Sequence, residues 1–242
     1  MHILVTNDDS VSASGLEALI SYCSGFGQVT AVVPACQQSG KSHGIELHRP
    51  FRVERHGDLA GCPVWTVDST PADCVRFAVN GLGLSFDLAV SGINKGYNIG
   101  KDIPYSGTAG AAYEAYARGI PAIALSARPD CYDTAHLELP GLTAFFRRRR
   151  LMEVHSLYNV NIPPEPKGIR VTRQGGEFIS DKFRRREDGL WEPEARYLYQ
   201  DREDLTLDTD CVMHGWISVL PLTPDRTERG VFEALREETE VF

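Results

Sequence analysis

Asn7-Asp8-Asp9 sets two adjacent carboxylates directly after the short apolar run His2 to Thr6. Neighbouring carboxylates repel one another, and a hard divalent cation such as Mg²⁺ or Mn²⁺ stabilises both in the ionised form through oxygen ligands. The same residues also suit a turn with a capping aspartate. A second cluster, Ser91-Gly92-Ile93-Asn94-Lys95-Gly96-Tyr97-Asn98-Ile99-Gly100, follows another apolar run. Its small residues let backbone approach a metal or phosphate closely, and they would equally serve a flexible loop. A third, Tyr105-Ser106-Gly107-Thr108-Ala109-Gly110, opens an Ala-rich segment. Free N–H groups and the helix dipole favour an anion there, and two hydroxyls add donors, with plain helix capping as the alternative. The polar stretch Gln38-Ser39-Gly40-Lys41-Ser42-His43 completes the set, as a loop close to the end of the first strand or as ordinary surface.

Chemistry of this kind needs elements that bring four distant stretches together. His2 to Thr6, Val29 to Pro34, Val64 to Val67, Asp87 to Ser91 and Pro121 to Ser126 read as short buried strands. Helices are predicted over Ser14 to Cys23, over Thr70 to Leu82 behind a Ser/Thr-Pro start, and over Tyr105 to Arg118. Strands alternating with helices predict an α/β fold, a Rossmann-like, mostly parallel sheet flanked by helices. In such open sheets ligands bind beyond the carboxyl ends of the strands, where the polar clusters fall. From about Val171 the texture becomes charged, with alternating runs at Arg196 to Tyr199 and Trp216 to Leu220, which predicts a β-hairpin-rich C-terminal extension. One domain over 1–242 is expected, with the α/β core in 1–170 and the hairpins and closing strands in 171–242.

The bulk composition narrows the partners. The 242 residues are 42% hydrophobic and 24% charged, enough apolar material for one sizeable core. A net charge of −8 argues against duplex nucleic acid, which needs clustered cations. No stretch approaches the ~20 apolar residues of a membrane span, and Met1 leads straight into a strand-like run, so a cytoplasmic protein without a membrane partner is expected. Six scattered cysteines without a C-x-x-C pair predict reduced thiols, mostly in the core.

Several phosphate-handling classes recede on spacing alone. A haloacid-dehalogenase-type phosphatase needs Asp-x-Asp, and a dinucleotide-binding domain wants G-x-G-x-x-G after its first strand; this chain has neither there. A receiver-type domain would be about half as long. The stretches ILVTNDDSVSASGL, VVPACQQSGKS, STPADCV, DLAVSGINKGYNIGKDIPYSGTAGAAYEAYARGIPAIALS, YNVNIP and GWISVLPLTPDRT resemble, in order, the signatures of the survival-protein-E (SurE) family of nucleotidases. The resemblance implies a phosphomonoesterase acting on nucleoside 5′-monophosphates, with 3′-monophosphates and short polyphosphate as further substrates. It implies one divalent ion per subunit, Mg²⁺ or Mn²⁺, on Asp8, Asp9, Ser39 and Asn94, with Asp8 and Asp9 catalytic. It also places Ser106, Gly107 and Thr108 beside the phosphate. A homodimer or homotetramer is expected, because hairpin-like strands expose edges that a partner can cover. The alternative from another class is a non-catalytic nucleotide or metal sensor.

The chain departs from the family pattern in places. Ser10 and Ser14 stand where the family usually has Gly and Pro, and Phe183 to Tyr199 only distantly echoes the family's D-P-R-G-R-x-Y-Y-W segment. His43 is a candidate general acid. The runs Arg147 to Arg150 and Arg184 to Arg186 read as solvated charge, with a nucleic-acid or polyphosphate contact as the alternative, and His155 and His214 receive no role.

Overall fold

The computed structural model describes residues 1–236. The first apolar run forms β1 (His2–Thr6), whose last four residues are buried, and the chain returns through α1 (Ser14–Ser24) to β2 (Gln28–Pro34). β3 (Val53–Leu59) and β4 (Cys62–Val67) form an antiparallel pair. Thr70 then caps α2 (Pro71–Arg76), with proline at the first helical position where its missing N–H costs nothing. The helix runs on as a π-turn over Phe77–Gly81, so the predicted 70–82 helix is present with a wider final turn.

β5 (Leu88–Lys95) leads through a 3₁₀ turn at Gly100–Tyr105 into α3 (Gly107–Ala117). Helix α3 therefore starts two residues later than the sequence predicts, because Ser106 is its N-cap and Tyr105 belongs to the preceding turn. β6 (Ala122–Ala127), α4 (Leu139–Arg149), α5 (Leu151–Val154) and β7 (Leu157–Ile162) complete the central part. Then come β8 (Ile169–Val171), β9 (Ile179–Arg185), β10 (Trp191–Tyr197), α6 (Asp208–Met213), β11 (Ile217–Pro221) and α7 (Arg229–Leu235).

Nine of these strands form one sheet in the order β3-β4-β2-β1-β5-β6-β7-β11-β8, parallel from β4 through β7. One apolar cluster packs α1 and α4 on one face, and a second packs α2 and α3 on the other. The order steps outward from β1 in one direction to β2 and in the other to β5, so the carboxyl ends of β1 and β5 flank the switch point where open sheets bind ligands.

The C-terminal part holds both a hairpin and strands that close the main sheet. Arg196 and Tyr197 do lie in a separate antiparallel hairpin, β9–β10. The Trp216 to Leu220 run instead supplies β11, fully buried over Ile217–Leu220 and inserted between β7 and β8 in the main sheet. Alternation of residue types reveals a strand but not its neighbour. The cysteines are all unpaired; Cys23, Cys62, Cys74 and Cys211 are buried, Cys131 is half-buried and Cys36 is exposed.

Candidate active site

The turn after β1 is pinned from three sides. The Asp8 carbonyl accepts the Gln38 N–H at 2.7 Å, which ties the loop after β2 to the end of β1. Asp9 Oδ2 accepts the Lys95 N–H at 3.1 Å and its Oδ1 accepts Gln37 Nε2 at 3.2 Å. The same Gln37 amide donates to Ser39 Oγ at 3.0 Å. Sequence reading missed Gln37, whose bridging role is a matter of tertiary geometry with no local signal. Asn94 donates from Nδ2 to the Gly96 carbonyl at 2.8 Å, which fixes its amide and leaves Oδ1 without a hydrogen bond from the described residues.

Helix α3 is buttressed against the carboxylate from the other side. A methyl group at Gly107 would stand 3.0 Å from Asp8 Cβ and 3.1 Å from Asp8 Oδ2, so any larger residue would have to push the Asp8 side chain aside by a few tenths of an ångström. At Gly110 the same methyl would strike the Ser42 carbonyl at 2.1 Å; its absence lets the 38–43 loop cross the helix. Ser106 caps the helix by accepting the Ala109 N–H at 3.0 Å. Thr108 is fully buried, and its hydroxyl donates to Asp8 Oδ1 at 2.5 Å. Thus the hydroxyl assigned from sequence to a phosphate is engaged on a carboxylate here.

These elements enclose an open cleft of about 750 Å³ onto which Asp8, Ser39, Asn94 and Ser106 all face. Gly107 and Thr108 pack against Asp8, and Asp9 is held by Gln37 and the Lys95 N–H; none of the three is on the cleft wall itself. Two cations missed as site residues, Lys95 and Lys101, line it with Tyr97, Tyr105 and the root of the hairpin at Ile179. Both lysines lie inside glycine-rich stretches, and that context was the available signal. Burial pushes the Asp8 carboxyl up to about 6; the Thr108 hydrogen bond opposes this, and the negative charge of Asp9 adds to it. Beneath the turn, Thr6 Oγ1, Asn7 Oδ1 and Ser91 Oγ are buried without a hydrogen-bond partner among the described residues. Orphaned polar atoms at paired strand ends are a frequent mark of a functional site.

The chain matches the family model for survival protein SurE over residues 3–181. It belongs to the SurE family. It is 40% identical to the 5′-nucleotidase SurE of Syntrophotalea carbinolica over 97% of this chain and 96% of that protein. It is 36% identical to the 5′-nucleotidase SurE of Desulforudis audaxviator, covering 98% and 97% of the two chains. The crystal structure of the SurE protein from Aquifex aeolicus superposes with a TM-score of 0.78, at 30% identity and 98% coverage of both chains.

Against the SurE pattern, Ser10 occupies the usual glycine position with a left-handed φ of 77°. Ser14 opens α1 and donates to Asp133 at 2.8 Å. His43 does not face the cleft. Its Nε2 meets Glu114 Oε2 at 2.8 Å, and it lines a separate pocket beyond Ser106 with Tyr113 and Arg226. Arg147–Arg149 form the last turn of α4, and Arg184 and Arg186 pair with Glu192 and Asp188 on the hairpin. Among the described residues no group of three or more His, Cys, Asp or Glu side chains is arranged for a metal. The Asp8, Asp9, Ser39 and Asn94 set is instead two carboxylates with a hydroxyl and an amide oxygen, the hard-oxygen chemistry suited to Mg²⁺ or Mn²⁺ and unsuited to softer metals.

Proposed function

We propose that this chain is a divalent-metal-dependent 5′-nucleotidase, hydrolysing nucleoside monophosphates to nucleoside and phosphate, with residues 1–242 acting as one domain. The observation that carries the reading is the all-oxygen donor set at the β1/β5 switch point, and the nucleotidase names of full-length relatives support it. Asp8, Asp9, Ser39 and Asn94 would hold one Mg²⁺ or Mn²⁺ per subunit. Such an ion supplies Lewis-acid polarisation of the phosphoryl oxygens.

The chain's own groups do the remaining work. Thr108 and Gly107 fix the Asp8 carboxylate, through a hydrogen bond and through close contact. Gln37 and the Lys95 N–H fix Asp9. Ser106, the free N–H groups at the start of α3, and the Lys95 and Lys101 side chains attract and orient the phosphate. A carboxylate of the Asp8–Asp9 pair takes the proton of a water that attacks phosphorus as the bond to the nucleoside oxygen breaks, and that oxygen takes a proton from solvent in the open cleft. Activity on 3′-monophosphates and short polyphosphate belongs to the same reading, since an open cleft of this size does not enclose the leaving group.

The test is a phosphate-release assay over a panel of 5′- and 3′-monophosphates. Release from the 5′ panel is expected; binding of nucleotide without release would favour a sensor instead.

A further inference from the structure

Helix α4 does not close fully onto the sheet. Between it, α1 and the amino-terminal halves of β1, β5 and β6 lies a cavity of about 290 Å³, remote from the carboxyl strand ends that carry Asp8 and Asn94. Leu19 and Cys23 of α1, Leu142 and Phe146 of α4, and Val90 and Leu125 of the sheet make its walls. A space walled this way gains from an apolar occupant; an enclosed apolar cavity about half as large admits benzene.

The lining side chains that also reach solvent are of a different kind, and they mark the mouth. Thr143 and Arg147 are one turn apart on α4, and Tyr22 joins them; its hydroxyl donates to the Leu139 carbonyl at 2.9 Å and accepts from Thr143 Oγ1 at 2.7 Å, so both hydroxyls are engaged within the protein. The Arg147 guanidinium lies 5.4 Å over the Phe26 ring and has no carboxylate partner among the described residues. Arg148 and Arg149 lie 5.9 Å over the Phe145 ring and do not line the cavity, so Arg147 is the cation at its mouth. The carbonyl end of α4 carries partial negative charge at the same place, and the full charge of Arg147 outweighs it.

We propose that this cavity is a second ligand site, taking a single-chain amphiphilic anion: an apolar tail between α1 and α4, and a carboxylate or similar head on Arg147. The site is independent of the nucleotidase reading. A cationic amphiphile has the same tail but meets the positive charge of Arg147, so the head group decides binding.

The test uses the full chain titrated calorimetrically with decanoate below its micelle concentration, with decyltrimethylammonium as the cationic counterpart. One-to-one saturable binding of decanoate is expected, with none for the cation. Arg147→Gln should weaken decanoate about three- to tenfold. Cys23→Leu fills the space, so it should abolish binding while leaving the melting temperature unchanged or raised, and phosphate release from nucleotides should persist in both variants. Absence of saturable decanoate binding, as when a second copy of the chain covers the groove, would overturn the proposal. Equal binding of the two amphiphiles, or indifference to both substitutions, would do the same.

Discussion

Asp8 combines burial, a charged neighbour and a single hydroxyl donor, and its behaviour follows from their balance. Its carboxyl is only 4% exposed and is pushed from the ordinary 3.8 up to about 6. A raised carboxyl favours the protonated form in the folded state, so its stabilising effect is complete below about 4 and is lost as pH rises through about 6. The full effect is of order 3 kcal/mol. Chelated protein should therefore lose thermal stability between pH 4 and 6.5, and Asp8→Asn should flatten that fall; an equal fall in the variant would remove Asp8 as its source. Thr108 is the other half of this contact. Thr108→Val deletes the donor to Asp8 at constant volume, so Mn²⁺ affinity should drop about tenfold or more, while Thr108→Ser retains it. A direct phosphate donor would instead leave metal affinity untouched and change only kcat or KM. Titration calorimetry with Mn²⁺ on the two variants separates these outcomes.

The turns and helix starts set how closely these side chains approach. Ser10 holds a left-handed φ of 77°, a conformation that costs a non-glycine residue about 1–2 kcal/mol. Its hydroxyl regains part of that through Ser12 Oγ at 3.0 Å. Ser10→Gly should accordingly raise the melting temperature by roughly 1–4 °C, and a lowered value would show that the Ser10–Ser12 contact outweighs the strain. Apolar strands such as β1, β2 and β5 were legible in the sequence because both their faces are covered. β3 was not, since Val53–Leu59 is a polar edge strand with little buried side chain to pattern. Helix α6 was hidden for a related reason. Its buried Asp208 accepts the Gly100 and Gly175 N–H groups, so a carboxylate stands where periodicity looks for an apolar residue. The polar loops were legible as a set, but the partner of Thr108 lies 100 residues away and could not be read from spacing.

At the scale of the whole molecule, two features point outward. The β9–β10 hairpin forms its own two-stranded sheet and leaves Phe183, Trp191 and Tyr197 largely exposed, an unusual cost for an isolated chain. A homodimer or homotetramer burying this hairpin is expected by sedimentation at micromolar concentration, and Phe183→Ser with Trp191→Ser should shift it toward monomer; a strictly monomeric wild type would contradict this. The second feature is the cleft itself, where segments far apart in the chain converge from the neighbouring strands β2, β1 and β5 and from the hairpin on one oxygen-lined wall. The most direct measurement is phosphate release from a nucleoside 5′-monophosphate by the wild type and Asp9→Asn, before chelation, after it, and after Mg²⁺ or Mn²⁺ is restored. The wild type should lose release on chelation and regain it with metal, while Asp9→Asn, equally stable to heat, should fall by about a hundredfold or more throughout. Full wild-type release after exhaustive chelation, or wild-type turnover by Asp9→Asn, would contradict the account.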